Sequence, residues 1–455
     1  MKRSDLLRQI GHRLGNRRLI WFGTRGDDVE SAAQIPNLET AFSVISAYRG
    51  RSKVTSLALE DLTGIRVDLD TFDIDHDEHV EELLELRRAL MRSLSHPSAL
   101  FTYRPSAFVS AACFARRDRC RYLGLFNDHQ AAFEHKPWLE TAIAELGLPQ
   151  IPWTYVADED QIETLRFLDD GPVMLRRSRT TGGVGLVKVE DSTELEALWP
   201  REEAAFVSVA PYLDDSISLN ASGVVWHDGV TVHPASVQLV GVPELTTRPF
   251  GYCGNDFGAL RALGDHLIEQ VDDAVRRIGW WLGRYGYRGA FGVDFLVVDG
   301  VPLFTEVNPR FQGSTHASCR LSVEIGESCL LLEHLAAFLD IDAPAAVPLN
   351  EQLDATQDLA HFIVHWTGDE PVSLDPGALA ASLTGVTTSA RMDVATHPAV
   401  TTEPGATVIR CTTRSQVTSD GRALHAPWGE LIDSWHRSLG LRAKDTTKSA
   451  TSSIL

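Results

Sequence analysis

The chain has 455 residues, of which 44% are hydrophobic and 23% charged, and a formal net charge of −20. That length suggests two to four domains with ample material for a buried core, and the composition is that of an ordinary globular protein. The negative balance argues against nucleic acid as a partner, because such a binder needs a basic face to displace counterions.

The first residues, MKRSDLLRQIGHRLGNRRLIWFG, are basic but hold no uninterrupted apolar run, so they do not read as a secretion signal. Leu6, Leu7, Ile10 and Leu14 fall at helical spacing and predict a short amphipathic helix, with membrane or partner docking as the alternative. No apolar run approaches the roughly 18 residues that span a bilayer. Six scattered cysteines without a CxxC pair fit reduced thiols in cytosol better than disulfides or a zinc site. The expected location is cytoplasmic, with no membrane partner.

Residues 17–126 alternate short apolar runs with helical patterns, which predicts an α/β domain. Within it, GTRGDD (Gly23 to Asp28) reads as a strand-to-helix turn, with a ligand loop as the alternative. Residues 126–156 read as a helix closed by Gly147 and Pro149, then an extended segment. GPVMLRRSRTTGGVGLVKVE (171–190) predicts strand, glycine-rich turn, strand. A hairpin-rich sheet follows, with a turn at His227-Asp228-Gly229. GYCGNDFGAL (251–260) reads as a loop capped into the next helix by Asn255 or Asp256. Residues 259–283 carry apolar residues at intervals of three and four, an amphipathic helix. Two strands, YRGAFGVDFLVV and VPLFTEVNP, meet at Asp299-Gly300, and the helix IGESCLLLEHLAAFL closes the region. Its Cys329–Leu332 patch reads as core, with a homo-oligomer interface as the alternative. A Pro/Ala-rich passage near 340 marks a boundary, and the C-terminal tail is polar and expected to be disordered.

Glu306, Asn308 and Arg310 stand at alternate positions of one strand and share a face. Antiparallel pairing across Asp299-Gly300 sets Asp294 opposite the neighbourhood of Glu306. Two carboxylates and an amide oxygen could then converge as hard ligands of the kind magnesium takes; polar residues exposed at a sheet end would show the same pattern. In RSRTTGGVG, Gly182, Gly183 and Gly185 would let backbone amides approach phosphate, and Arg176, Arg177 and Arg179 add positive charge. A flexible hairpin loop is the other reading.

In this order the pieces resemble the ATP-grasp superfamily of carboxylate–amine ligases from about residue 126 to 335, most specifically in GAFGVDFLVVDGVPLFTEVNPRFQGST. The resemblance implies an N-terminal α/β domain (1–125), a first subdomain with the glycine-rich loop (126–205), a second with the metal hairpin (206–340), and a small α+β domain and tail (341–455). It implies magnesium held by Asp294, Glu306 and Asn308, and Arg310 as the catalytic group. It also implies ATP contacts from Lys136, Arg176, Ser178, Thr180, Thr181, Gly182, Gly183, Ala210, Tyr212 and Leu213. Arg176 stands where the family carries a second lysine, which keeps the charge but changes the geometry. Arg288, Gly313, Ser314 and Thr315 are candidate substrate contacts. The flanking regions are similar to actinobacterial peptide ligases of the pheganomycin type. The implied function is an ADP-forming ligase that joins a carboxylate to an amine or peptide through an acyl phosphate. A carboxylase-like enzyme and a non-catalytic ATP-binding regulator are the alternatives.

Overall fold

The computed structural model describes residues 2–28, 34–46, 54–75, 80–178, 182–200, 206–375, 377–378, 381, 392–396 and 400–438. The polar C-terminal tail lies outside them. The chain folds as a mixed α/β protein with four sheets.

The N-terminal segment forms a parallel sheet of five strands in the order Thr55–Ala58, Leu38–Ile45, Arg18–Arg25, Ser98–Thr102, Cys120–Tyr122. Strands buried on both faces must be apolar throughout, which explains the run Leu19–Phe22. Chain order reverses between Arg18–Arg25 and Ser98–Thr102, because successive strands are added first on one side of Arg18–Arg25 and then on the other. The helix Arg3–Leu14 buries Leu6, Ile10 and Leu14, and these pack in one core with Leu330, Leu331 and Leu335. Its apolar face is therefore covered, and the Cys329–Leu332 patch is core.

A four-stranded antiparallel sheet holds Thr154–Ala157, Phe206–Pro211, Val173–Arg176 and Leu186–Val189. Beside it runs an eight-stranded sheet in the order Val301–Asn308, Gly289–Val298, Ile217–Val225, Val230–Val240, Tyr252–Asp256, Ala360–His365, Thr407–Thr413, Met392–Thr396. The helix Asp265–Arg284 covers this sheet with Leu267, Val271, Val275, Ile278 and Leu282, each contributing about 1.5–3 kcal/mol on burial. Gly279 lets the helix approach, since a Cβ there would lie 2.6 Å from Val230 Cγ1.

Residues 252–256 depart from the expected loop. They form a strand because Val230–Val240 and Ala360–His365 supply hydrogen-bonding partners on both edges, a non-local pairing. Neither Asn255 nor Asp256 caps the long helix, whose N-cap is Gly264 without a side-chain cap; Asp256 instead accepts from Ala259 N at 3.0 Å, at the start of a short 3-10 turn, Ala259–Leu263, whose N-cap is Gly258. The same sheet thus runs across residue 340. A second tie links the chain's two ends, where Thr401–Thr402 pairs parallel with Ile65–Arg66. Among the described residues no helix is long and apolar enough to cross a membrane.

Arg66 reaches Glu60 at 2.5 Å with both side chains at most 2% exposed, and donates to Thr407 O at 3.3 Å. Removing one partner of a buried pair strands a charge, whereas replacing both does not. Glu60→Ala is therefore expected to lower unfolding free energy by about 3–5 kcal/mol, and Glu60→Leu with Arg66→Met to recover most of it, both read by urea denaturation.

Candidate active site

Asp299 and Gly300 have φ of 50° and 75°, the left-handed pair that closes a two-residue hairpin with the right twist. The turn sets the register, and Asp294 faces Glu306. Thr305 is the extra residue of a bulge between Phe295 and Asp294, and its hydroxyl donates to Asp294 O at 2.9 Å. A bulge re-aims the side chains beside it, here Glu306.

Asn308 Nδ2 donates to Asp294 Oδ2 at 2.9 Å and to Glu306 Oε1 at 3.1 Å. Its Oδ1 accepts from Arg310 at 2.9 Å. Glu134 holds the other side of Arg310 at 3.4 Å. Lys136 donates to Glu306 Oε2. Asp294 Oδ1 is met by Asn220 at 2.6 Å and by Gln238 and Gln312 at 3.3 and 3.4 Å. Burial raises the Asp294 carboxyl above the usual carboxylate range, opposed by the Asn220 hydrogen bond and by Lys136 and Arg310. Burial, then the Arg176 guanidinium, pulls the Lys136 ammonium down to about 7.

Arg176 lies on the strand before the glycine turn. It is buried against Glu140 and stacks over Trp153 at 3.9 Å. Tyr155 donates to the other Glu140 oxygen at 2.7 Å. Ser178 meets Lys136 through the backbone, its carbonyl accepting from Lys136 N at 3.3 Å. Thr180 and Thr181 lie outside the described residues. Gly182 and Gly183 have φ of 57° and 80°. A Cβ on Gly183 would fall 1.9 Å from Phe250 O, and one on Gly182 would strike the Asp70 carboxylate, so the turn is pressed against both. Ala210 pairs with Met174, and the Tyr212 N–H is taken by Pro172 O at 2.8 Å.

One cavity of about 560 Å³ is bordered by these pieces: Arg176, Gly182, Gly183, Ala210, Tyr212, Leu213, Asp294, Glu306, Asn308 and Arg310 all line it. Gly313 and Ser314 line it too. Gly313 has no room for a Cβ beside the Tyr252 ring, and Ser314 donates to Asn220 Oδ1 at 2.9 Å. Thr315 is turned to the start of its helix, accepting from Gln312 N at 2.9 Å. Arg288 stands apart from the lining and pairs with Asp340 at 2.9 Å, which gives no support to a substrate contact. His316 is half-buried, its Nδ1 beside Gly313 O at 3.2 Å and its ring against His361. All six cysteines are free and buried.

Reading the sequence missed Asn220, Gln238 and Gln312, which grip Asp294. Asn220 could have been suspected as a polar residue in the apolar strand ISLNASGVV. Arg25, Asp70, Tyr103 and Arg104 of the N-terminal domain also line the cavity, as do Asp420 and Arg422 near the C-terminus.

The family model described as "ATP-grasp domain" fits residues 143–314. This part of the chain is similar to that domain family. The matched segment takes in Arg176, the glycine turn, Ala210–Leu213 and the whole hairpin through Arg310. The chain is 23% identical over 213 residues to a formate-dependent phosphoribosylglycinamide formyltransferase of Synechococcus sp. (strain CC9311), covering 45% of this chain and 50% of that one. It is 23% identical over 192 residues to the arginine-specific large chain of carbamoyl phosphate synthase from Geobacillus stearothermophilus, covering 41% and 17%. The chain thus spans half or less of the curated relatives it matches. Among solved structures, carboxyaminoimidazole ribonucleotide synthase from Aspergillus clavatus, complexed with ATP, superposes with a TM-score of 0.59 at 15% identity over 94% of this chain and all of the other. That likeness shows an overall fold shared with that structure, the N-terminal and C-terminal segments included.

The ATP-grasp glycine turn offers a direct check of its packing. Gly147 has φ of 62° and open space around it, so Gly147→Ala adds only the left-handed strain of about 1–2 kcal/mol. Gly183→Ala adds a clash with a backbone carbonyl to the same strain and is expected to lose more stability than Gly147→Ala in chemical denaturation.

Proposed function

We propose that the protein is an ADP-forming ligase that uses ATP and magnesium to join a carboxylate to an amine through an acyl phosphate. The observation that carries this reading is the single hydrogen-bonded cluster of Asp294, Glu306, Asn308 and Arg310 on the wall of a large cavity, with Lys136, which is not part of the lining, bonded to Glu306. We further propose that the product is a peptide bond in the biosynthesis of a peptide natural product, as in ligases of the pheganomycin type.

The residues fit magnesium. Asp294, Glu306 and Asn308 offer only oxygen donors on the protein side, the hard ligands this ion prefers. Asp294 is a desolvated carboxylate whose charge would gain from a cation. Asn308 now turns its amide nitrogen to both carboxylates, and a half-turn of the side chain would present oxygen instead. A magnesium ion held there would supply positive charge to phosphate oxygens. The cavity also suits a nucleotide, with Ile151, Met174, Leu213 and Leu296 as apolar lining and Arg176 as a cation for phosphate.

Within this reading each side chain has a task that its surroundings allow. Arg310 is fixed between Asn308 and Glu134, so its guanidinium is preorganised to meet charge that develops on transferring oxygens. Glu140 and Trp153 fix Arg176 in the same way. The glycine turn, pressed on Phe250, closes one side of the cavity and would keep water from an intermediate that hydrolyses readily. No protein nucleophile is needed: Cys319 is buried and its thiol is pushed up by burial and by Cys329.

A carboxylase-like reaction is the second reading, favoured by the names of the relatives, which include a synthase of carbamoyl phosphate.

The test is ADP and phosphate release with ATP, magnesium and a panel of carboxylates, with and without amines or short peptides. The ligase releases ADP in an acid-dependent manner that also needs the amine. Glu306→Gln is expected to lower that rate by at least about 10²-fold with an unchanged circular dichroism spectrum. Near-normal turnover in this variant would sink the role given to the hairpin.

A further inference from the structure

The cavity's N-terminal wall holds two arginines that the ligase reading leaves without a task. Arg25 ends the strand Arg18–Arg25, and Arg104 follows the strand Ser98–Thr102 by two residues. Those strands are adjacent and parallel, and chain order reverses between them. In open parallel sheets the two connections then leave in opposite directions and open a crevice at the carboxyl ends of the strands, where ligands bind. Both arginines sit at that crevice and line the cavity.

Their surroundings differ from those of the other arginines at the cavity. Arg176, Arg310 and Arg422 on the wall, and Arg248 beside it, each face a carboxylate. Among the described residues the Arg25 and Arg104 side chains have no hydrogen bond and no ion pair, and Arg25 Nε is fully buried without a partner. The nearby acids are bonded elsewhere, Asp70 and Asp68 to Arg248 and Asp28 to Arg410, and Arg25 acts on Asp70 only as a charge outside ion-pair distance. A partly buried guanidinium without an anion is unfavourable unless a ligand completes it. Planar, forked donors of this type match carboxylate or phosphate oxygens in two-point contacts.

The crevice is coupled to the proposed reaction centre. Phe311 N donates to Tyr103 O at 3.2 Å, which ties the residue beside Arg104 to the residue beside Arg310. The Trp21 and Phe311 rings lie 6.0 Å apart. An anion seated at Arg25 and Arg104 would therefore hold a substrate in the same cavity as Arg310.

We propose that Arg25 and Arg104 form an oxyanion seat for a carboxylate or phosphate group of the substrate, so that the N-terminal domain selects substrates carrying such a group. This rests on the ligase reading for the word substrate; the seat itself does not depend on it.

The test is calorimetric titration of the full chain with inorganic phosphate and, separately, with succinate, in the apo protein and after saturation with magnesium and a non-hydrolysable ATP analogue. Wild type is expected to bind at least one of the two probes in both states, and the preferred probe tells phosphate from carboxylate. Arg25→Gln and Arg104→Gln should each weaken binding at least tenfold and the double variant should abolish it, while the exposed Arg166→Gln changes nothing. Denaturation should show the two glutamine variants at least as stable as wild type, which separates a lost seat from a lost fold. Undiminished binding in the double variant, absence of binding of both probes to wild type, or displacement of the probe by the analogue would each overturn the proposal. Failure of the analogue to bind would count against the ligase reading, and the apo titration alone would then decide whether the seat exists.

Discussion

Two carboxylates facing each other across a hairpin inside a protein repel one another and lose their hydration. A fold that keeps them there must surround them with donors, and much of this structure is the means of doing so. Asp294 receives amide donors from Asn220, Asn308, Gln238 and Gln312, and Glu306 receives Lys136 and Asn308. These come from four separate strands or loops and one helix. The eight-stranded sheet sets Asn220 and Gln238 beside the hairpin, because Ile217–Val225 pairs with Gly289–Val298 in the register Asn220 to Asp294.

That convergence explains why distant segments matter to one site. The N-terminal sheet abuts the Arg310 loop through Tyr103 and Phe311. The C-terminal strands extend the same sheet that carries the hairpin, and Asp420, Gly421 and Arg422 reach the cavity rim. The glycine turn is pressed on the segment around Phe250, and Asp70 of the N-terminal domain lies directly against Gly182. A cavity walled by residues from the N-terminal, central and C-terminal segments suits the proposed reaction, in which a nucleotide, an acid and an amine would meet away from water.

The local parts of this arrangement were legible in the sequence. Asp299-Gly300 announced its turn through the left-handed freedom of both residues, and period-two spacing then placed Glu306 and Asn308 on one face with Asp294 opposite, whereas the strand ends at Asn308 and Arg310 lies in the bend beyond it. The amphipathic helices Arg3–Leu14 and Asp265–Arg284 followed from apolar spacing. What stayed hidden was non-local. Asn220, Gln238 and Gln312 lie 18 to 74 residues from Asp294, and nothing in NASG or RFQG says that they meet. Tyr252–Asp256 was misread because a glycine-containing stretch looks like a loop until two neighbouring strands claim its backbone. Arg288 was singled out for its place ahead of the hairpin, yet the chain turns it towards Asp340. Arg25 and Arg104 are 79 residues apart, since 104 − 25 = 79, and only the parallel pairing of their strands brings them to one crevice.

The central claim is that the hairpin carboxylates hold the metal that binds the nucleotide. It is tested most directly by titrating a non-hydrolysable ATP analogue into the protein by calorimetry, with magnesium and with chelator, in wild type and in Asp294→Asn with Glu306→Gln. The account predicts binding to wild type that depends on magnesium and a loss of that dependence in the double variant. Equal affinity with magnesium and chelator in wild type, or the same magnesium dependence in the double variant, would contradict it.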